Sequence, residues 1–503
     1  MRGHIKTLSI VSVILLLSVA CGGGSDRNVT ANGPSTESSN SETENSREPS
    51  TEPMDQDSTP ADNEPLTDDP ANSNESGETS TAPEEPEYAM FGDIVWPCNS
   101  GTASGATDQG VTNTSILIGG GDDRGYAASL GLNITQTDTL KAFVETCNEL
   151  GGINGREVLV ELYDAKIFEV SNVWLDACPK IFMMVGEGFA VDSLGEETRV
   201  QCELAHIPTY TVSAAAAHGP LMIQPVPNPS DRNPLSMASY IAETYPEAIA
   251  KSATMYGNFA ATIETKDKTL SSYPALGFEF IANLEYNIVG EDDWTPFVLE
   301  LKNAGVQHIY FTGTCLPNYQ AFRSAASING FDAIYTTDAN FYEDSCRQAN
   351  DDGVMNNTYV RMAFIPFEER DYAPGVNDYL EIMEEKGGEV ALLGMQTASA
   401  FLLWATAAKA CGSNLTRSCV LEEAAKIDEW SGGGMHVASD PGVNEPPPCG
   451  IVIELVGTSY ERIFPTEPGT YECNESWNAG FTNRWTDDAE LDENRVSQKF
   501  TAE

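Results

Sequence analysis

Positive charge is what this chain has least of. Its 503 residues include 27 Lys and Arg against 76 Asp and Glu, a formal net charge of −49. That balance excludes nucleic acid as a partner, because gripping phosphates demands a basic surface. Histidine is scarce, at 5 residues, and no two cysteines stand as CxxC. Metal-ligand spacing is therefore missing, and neither a metal nor another cofactor is expected. Asp122-Asp123 brings no regular set of further oxygen ligands with it, so it does not read as a cation loop. Catalytic signatures are absent too: there is no GxSxG, no HExxH and no P-loop Gly-Lys-Ser/Thr. His4 falls in an N-terminal leader, His308 in a strand pattern, His206 before an Ile-Pro pair and His436 after Gly432–Gly434. Only His218 could reach a cleft, and one histidine does not make a catalytic site. The chain reads as a non-enzyme.

Long apolar runs are also missing beyond the leader. The best candidate span, Ala391 to Ala410, contains Gln396, Thr397, Ser399, Thr406 and Lys409, which predicts a buried core helix. The leader itself has basic Arg2 and Lys6, an apolar Leu8–Val19 core and small residues before Cys21. That layout is an export signal, and it resembles the lipobox of bacterial lipoproteins, whose cysteine is lipidated. Ser18 departs from the pattern, and an uncleaved anchor or ordinary signal-peptidase cleavage stays open. Residues 22–88 hold 17 acidic and two basic residues with few apolar ones. Such a segment cannot bury a core and is expected to be a disordered tether, spanning roughly 45 Å as a coil.

Residues 89–503 carry the remaining −36 and are too many for one ordinary core, which suits two lobes. Setting Cys21 aside leaves ten cysteines in an exported chain, so disulfides are the default. Cys411–Cys419 closes a short loop, and Cys178–Cys202 would staple two helices flanking the strand Phe182–Val185. Order along the chain then suggests Cys98–Cys147, Cys315–Cys346 and Cys449–Cys473.

Strand and helix patterns alternate throughout. A β-run, Ile116–Ile118, is followed by a Gly-rich loop, a helix to Leu150, the turn Gly151–Arg156 (GGINGR) and a strand ending at Asp164. This is a βαβ unit of a parallel sheet, with Gly151, Gly152 and Gly155 supplying positive φ. Further on come helix 193–205, Ile207-Pro208, a strand and Ser213-Ala214. The segment Pro225–Pro229 is stiff and non-helical, fit for an interlobe hinge. A second α/β series follows, with strands near 252–256, 277–286, 306–311 and 333–337.

GGINGR in this setting, the "helix, Ile-Pro, strand, Ser-Ala" ending and the doubled α/β series resemble the type 1 periplasmic-binding proteins of the Leu/Ile/Val-binding kind. The resemblance covers about residues 111–465. It implies an α/β fold of two doubly wound parallel-sheet lobes joined by a multi-strand hinge. On that layout, residues 1–21 are the leader, 22–88 the tether, 89–227 with 357–437 the N-terminal lobe, 228–356 with 438–485 the C-terminal lobe, and 486–503 an acidic tail. It also implies a monomeric solute receptor, lipid-anchored through Cys21 to the outer face of the cell membrane, that passes a small molecule to an ABC permease. A ligand-sensing surface lipoprotein on the same fold is the alternative.

Small molecules bind at the carboxyl ends of strands in such sheets. Those ends are the loops 122–133, 186–192, 213–218, 257–261, 313–316 and 338–340. Asp123, Phe189, Ala190, Thr314 and Asn340 are ligand-site candidates in these loops. Ser213 matches the family's turn, and the N–H groups of Ala214 and Ala215 could hold a carboxylate. By resemblance, Asp338 would pair a ligand ammonium. Tyr126, Phe189 and Phe259 could supply aromatic walls. Ala190 and Ala215 stand where related amino-acid binders carry hydroxyls, which points away from a standard branched-chain amino acid.

Overall fold

The computed structural model describes residues 89–478 and Gly480. The leader, Cys21, the acidic tether and the 486–503 tail lie outside the described residues.

A small antiparallel hairpin, β1 (Met90–Phe91) and β2 (Ile94–Val95), opens the described chain. The first lobe then runs through β3 (Ser115–Asp122), α1 (Ile134–Glu149), β4 (Glu157–Asp164), α2 (Val170–Ala177), β5 (Met184–Val185), α3 (Glu196–Gln201), β6 (His206–Ile207) and α4 (Ala214–Ala217). Its four strands are all parallel, in the order β4-β3-β5-β6. The GGINGR turn joins α1 to β4, and Gly151, Gly152 and Gly155 have φ of 105°, 76° and 87°.

Gly119–Gly121, expected as a loop, is the second half of β3. The strand continues because its neighbours press against it. A Cβ on Gly120 would stand 2.1 Å from Leu140 Cδ2, on α1.

The second lobe comprises α5 (Ser236–Thr244), α6 (Pro246–Ile249), β7 (Ser252–Gly257), α7 (Ala260–Ser272), β8 (Phe280–Tyr286), α8 (Thr295–Ala304), β9 (His308–Thr312), α9 (Gln320–Ile328), β10 (Ile334–Thr337), α10 (Asp344–Gln348) and β11 (Thr358–Met362). After β11 the chain returns to the first lobe as α11 (Pro374–Lys386), α12 (Leu392–Cys411) and α13 (Arg417–Ala424). There α11 and α12 pack on α1, and α13 packs on α12. The chain ends in the second lobe with β12 (Cys449–Val456), β13 (Ser459–Phe464) and β14 (Glu472–Cys473).

The second sheet has eight strands in the order β13-β12-β11-β10-β9-β7-β8, with β14 on β12. Strands β7 to β11 are parallel, whereas β12, β13 and β14 run antiparallel. Placing 357–437 wholly in the first lobe therefore needs correcting for Thr358–Met362. That strand hydrogen-bonds β10 on one side and β12 on the other, which no crossing segment outside a sheet could do.

Helix α12 is the apolar segment 391–410 of the sequence, and Trp404, Phe401 and Leu402 on it are fully buried. Among the described residues no helix is long and apolar enough to cross a membrane. Three segments pass between the lobes: one around Pro225–Pro229, one between β11 and α11, and one between α13 and β12. The first and third are tied by Ser439, whose hydroxyl donates to the carbonyl of Pro225. Disulfides join Cys98–Cys147, Cys178–Cys202, Cys315–Cys346, Cys411–Cys419 and Cys449–Cys473, the pairing that order along the chain suggests.

Candidate ligand-binding cleft

Both parallel sheets share one winding. In each, the first strand lies between the second and the third, so chain direction reverses beside β3 in one lobe and beside β7 in the other. Loops leaving the carboxyl ends of strands part at such a switch point and leave a crevice. Here the crevices form a single cavity of about 280 Å³ lined from both lobes, at the small end of the usual range for ligand pockets.

The first lobe contributes Tyr126 after β3, Ala190 after β5, and Tyr210, Thr211 and Val212 after β6. Leu392, Leu393 and Gln396 come from the start of α12. From the second lobe come Phe259 before α7, Lys268 within it, Thr314 after β9, Asp338 and Asn340 after β10, and Arg361 on β11. Asn228, in the first crossing, completes the wall.

Six of the sequence candidates thus line the cavity: Tyr126, Ala190, Phe259, Thr314, Asp338 and Asn340. The others stand behind it. Asp123 is fully buried, and its carboxylate accepts the backbone N–H of Ile167 at 2.7 Å and of Ala190 at 2.8 Å. It fixes two cavity-lining loops instead of facing the cavity, and burial pushes its pKa up to about 6. Phe189 packs edge-on against Trp174 in the first-lobe core.

The Ser213–Ala215 turn also differs from expectation. Its loop meets the cavity at Tyr210–Val212, so Ser213, Ala214 and Ala215 are not lining residues. Ser213 caps α4 by accepting the Ala216 N–H at 3.1 Å. The N–H groups of Val212 and Ser213 are already taken by the half-buried Asp192 carboxylate, at 2.7 and 3.0 Å. A protein carboxylate is thus bound immediately before the Ala214 and Ala215 N–H groups expected to hold a ligand's. His218 is likewise engaged away from the cavity, with Nε2 at 2.9 Å from Ser230 Oγ.

Asp338 is not free. Its Oδ1 accepts from Arg361 Nε and Nη2 at 3.2 and 3.0 Å, and its Oδ2 accepts the Tyr310 hydroxyl at 2.5 Å. Lys268 Nζ donates to Asn228 Oδ1 at 2.6 Å, and Asn228 Nδ2 in turn donates to the Thr211 carbonyl at 2.9 Å. Asn340 steadies its own loop by donating to the Gly313 carbonyl at 2.8 Å.

Lys268 and Arg361 are the charged cleft residues that sequence patterns do not reveal. Lys268 sits in the polar run Thr265–Thr269, which shows no strong helical stripe, and Arg361 interrupts an otherwise apolar strand. The one available signal was their scarcity as cations in an acidic chain.

A model of the periplasmic binding protein family matches residues 189–458. The chain belongs to that family. No individually curated protein is close enough in sequence to match this binding protein, but solved structures share its fold. One is the branched-chain amino acid transporter substrate-binding protein of Streptococcus pneumoniae in complex with isoleucine, with TM-score 0.56 and 14% identity, covering 70% of this chain and 99% of that one. Another is an ABC transporter solute-binding protein of R. palustris in complex with 4-hydroxybenzoate, with TM-score 0.58 and 14% identity, covering 69% and 97%. A third is the fatty acid ABC transporter substrate-binding protein of Thermomonospora curvata, with TM-score 0.59 and 15% identity, covering 74% and 100%.

Proposed function

We propose that this binding protein is an extracytoplasmic lipoprotein that captures a small molecule between its lobes and delivers it to an ABC permease. The observation that carries this reading is the cavity itself, walled by Tyr126, Ala190 and Gln396 of one lobe and by Phe259, Thr314 and Asn340 of the other. A ligand touching both walls favours the closed arrangement of the lobes by its differential contacts, and the crossing segments supply the hinge. The permease would read that closed form. Lipidation of Cys21 would hold the receptor, as a monomer, on the outer membrane face at the end of its acidic tether.

The test is a thermal-shift screen of the full chain against amino acids, amides, short peptides, polyamines and aromatic acids. A ligand at 100 times its Kd stabilises by about 2.7 kcal/mol. Tyr126→Ala and Phe259→Ala, in opposite walls, should each weaken the hit. A hit unaffected by either variant would place its site elsewhere and reject interlobe capture. Detergent-phase partitioning that is lost in Cys21→Ser checks the anchor separately.

A further inference from the structure

Residues 89–503 carry a net −36, yet the charged side chains lining the cleft are Lys268, Arg361 and Asp338, a net +1. Arg361 and Asp338 are paired with each other, and the second oxygen of Asp338 is held by Tyr310. Among the described residues no other carboxylate lines the cavity, so a ligand ammonium would find no uncommitted anion in that lining. The ammonium of Lys268 is the charge that no lining side chain balances. It lies 8% exposed, hydrogen-bonded to the neutral amide oxygen of Asn228.

Burying an ammonium beside a neutral partner is costly, and an arriving anion offsets that cost. The cavity holds a second unmet need. Thr337 Oγ1, with the residue only 1% exposed, lines the cleft and has no hydrogen-bond partner among the described residues. It is a donor suited to a carboxylate oxygen. Apolar surface from Tyr126, Phe259, Ile288 and Leu392 surrounds these groups.

We propose that the cleft takes an organic monoanion, a carboxylate on an apolar body, with its charge held by Lys268, and that it discriminates against zwitterionic amino acids. This rests on the receptor reading and narrows its ligand class. The empty cleft should also hold Lys268 partly neutral. Burial pushes its pKa down to about 7, with Arg361 adding repulsion and Asp338, Asp231 and Glu264 opposing both. His218 lies near enough to feel the same charge. A bound carboxylate would draw a proton onto Lys268.

The experiment is isothermal titration of the full chain with phenylacetate and hexanoate, their amides phenylacetamide and hexanamide, and the zwitterions phenylalanine and leucine. An acid should bind about 10-fold or more tightly than its amide, the effect of one charge-assisted hydrogen bond. Lys268→Met should remove that preference and Lys268→Arg should keep it. As a readout independent of any variant, acid binding at pH 8.5 in two buffers of different ionisation enthalpy should show uptake approaching one proton. Amides or zwitterions binding as tightly as the acids, without proton uptake, would overturn the inference and leave the receptor reading standing. Binding by none of the six compounds would count against both.

Discussion

Asp338, just past the end of β10, stands beside Arg361 on the parallel strand β11. The register that pairs Thr337 with Val360 brings them side by side one residue further on, with the guanidinium Nη2 3.0 Å from Asp338 Oδ1. The acidic residue expected to receive a ligand ammonium therefore already has its cation. Asp338→Asn should destabilise the fold by about 1–3 kcal/mol, since both side chains are mostly buried (21% and 23% exposed) and Arg361 loses the charge of its partner. It should tighten phenylacetate binding several-fold, because the cleft loses the one negative charge among its described lining residues. Abolished binding in this variant would mean instead that Asp338 holds the ligand directly.

Glu187 and His206 form a second buried pair, with Oε1 2.6 Å from Nδ1. Burial pushes the Glu187 carboxyl up to about 8 and holds His206 well below its usual value. The neutral pair, with its proton on Glu187, is thus the native form at pH 7. Between pH 6.5 and 8 the folded Glu187 retains a proton that the unfolded chain releases, so stability falls as pH rises, by up to ~1.4 kcal/mol per unit. Below pH 6.5 the unfolded His206 takes up a proton that the folded ring refuses, which opposes any further gain. Urea unfolding at pH 6.5, 7.25 and 8 should show the wild type losing stability relative to Glu187→Gln. Parallel curves would contradict the assignment.

Cys98–Cys147 spans 49 residues and ties the opening hairpin segment to α1, whereas Cys411–Cys419 spans only 8. Loop entropy predicts losses of about 4 and about 2.5 kcal/mol on replacing each pair by serine. Denaturant midpoints of the two double variants test that ranking, and equal losses would show that native-state packing outweighs chain entropy here.

Gly120 has no room for a methyl group. Leu140, which its Cβ would meet, is fully buried on α1. Gly120→Ala should cost about 1–3 kcal/mol by overpacking, seen as a lowered unfolding midpoint with an unchanged m-value. An unchanged midpoint would mean that α1 can shift away freely.

Local chemistry made much of the fold legible. The apolar run of α12, the GGINGR turn with its positive-φ glycines and the alternation of strand and helix are each set by contacts within a few residues. Cysteine order suggested the disulfides because each bridge joins neighbours in that order. Cleft positions that follow a strand end directly, such as Tyr126, Phe259 and Asn340, were readable for the same reason. The Gly119–Gly121 strand was not, because glycine favours loops until the close approach of α1 and the core behind β3 is known. Nor was the place of Thr358–Met362, since only pairing with β10 and β12 decides which sheet a lone apolar strand joins.

Short-range pattern thus pointed to alternating α/β lobes in an acidic chain, and through the motifs it contains to the resemblance with the binding-protein family, because burial and backbone geometry act residue by residue. The character of the cleft was decided by tertiary contacts. Asp338 became a partner for Arg361, Asp192 took the N–H of Ser213, and Lys268 came to lie against Asn228 some forty residues away in sequence. Electrostatics depends on distance in space and on burial, and neither is fixed until the two lobes and the crossing segments stand together.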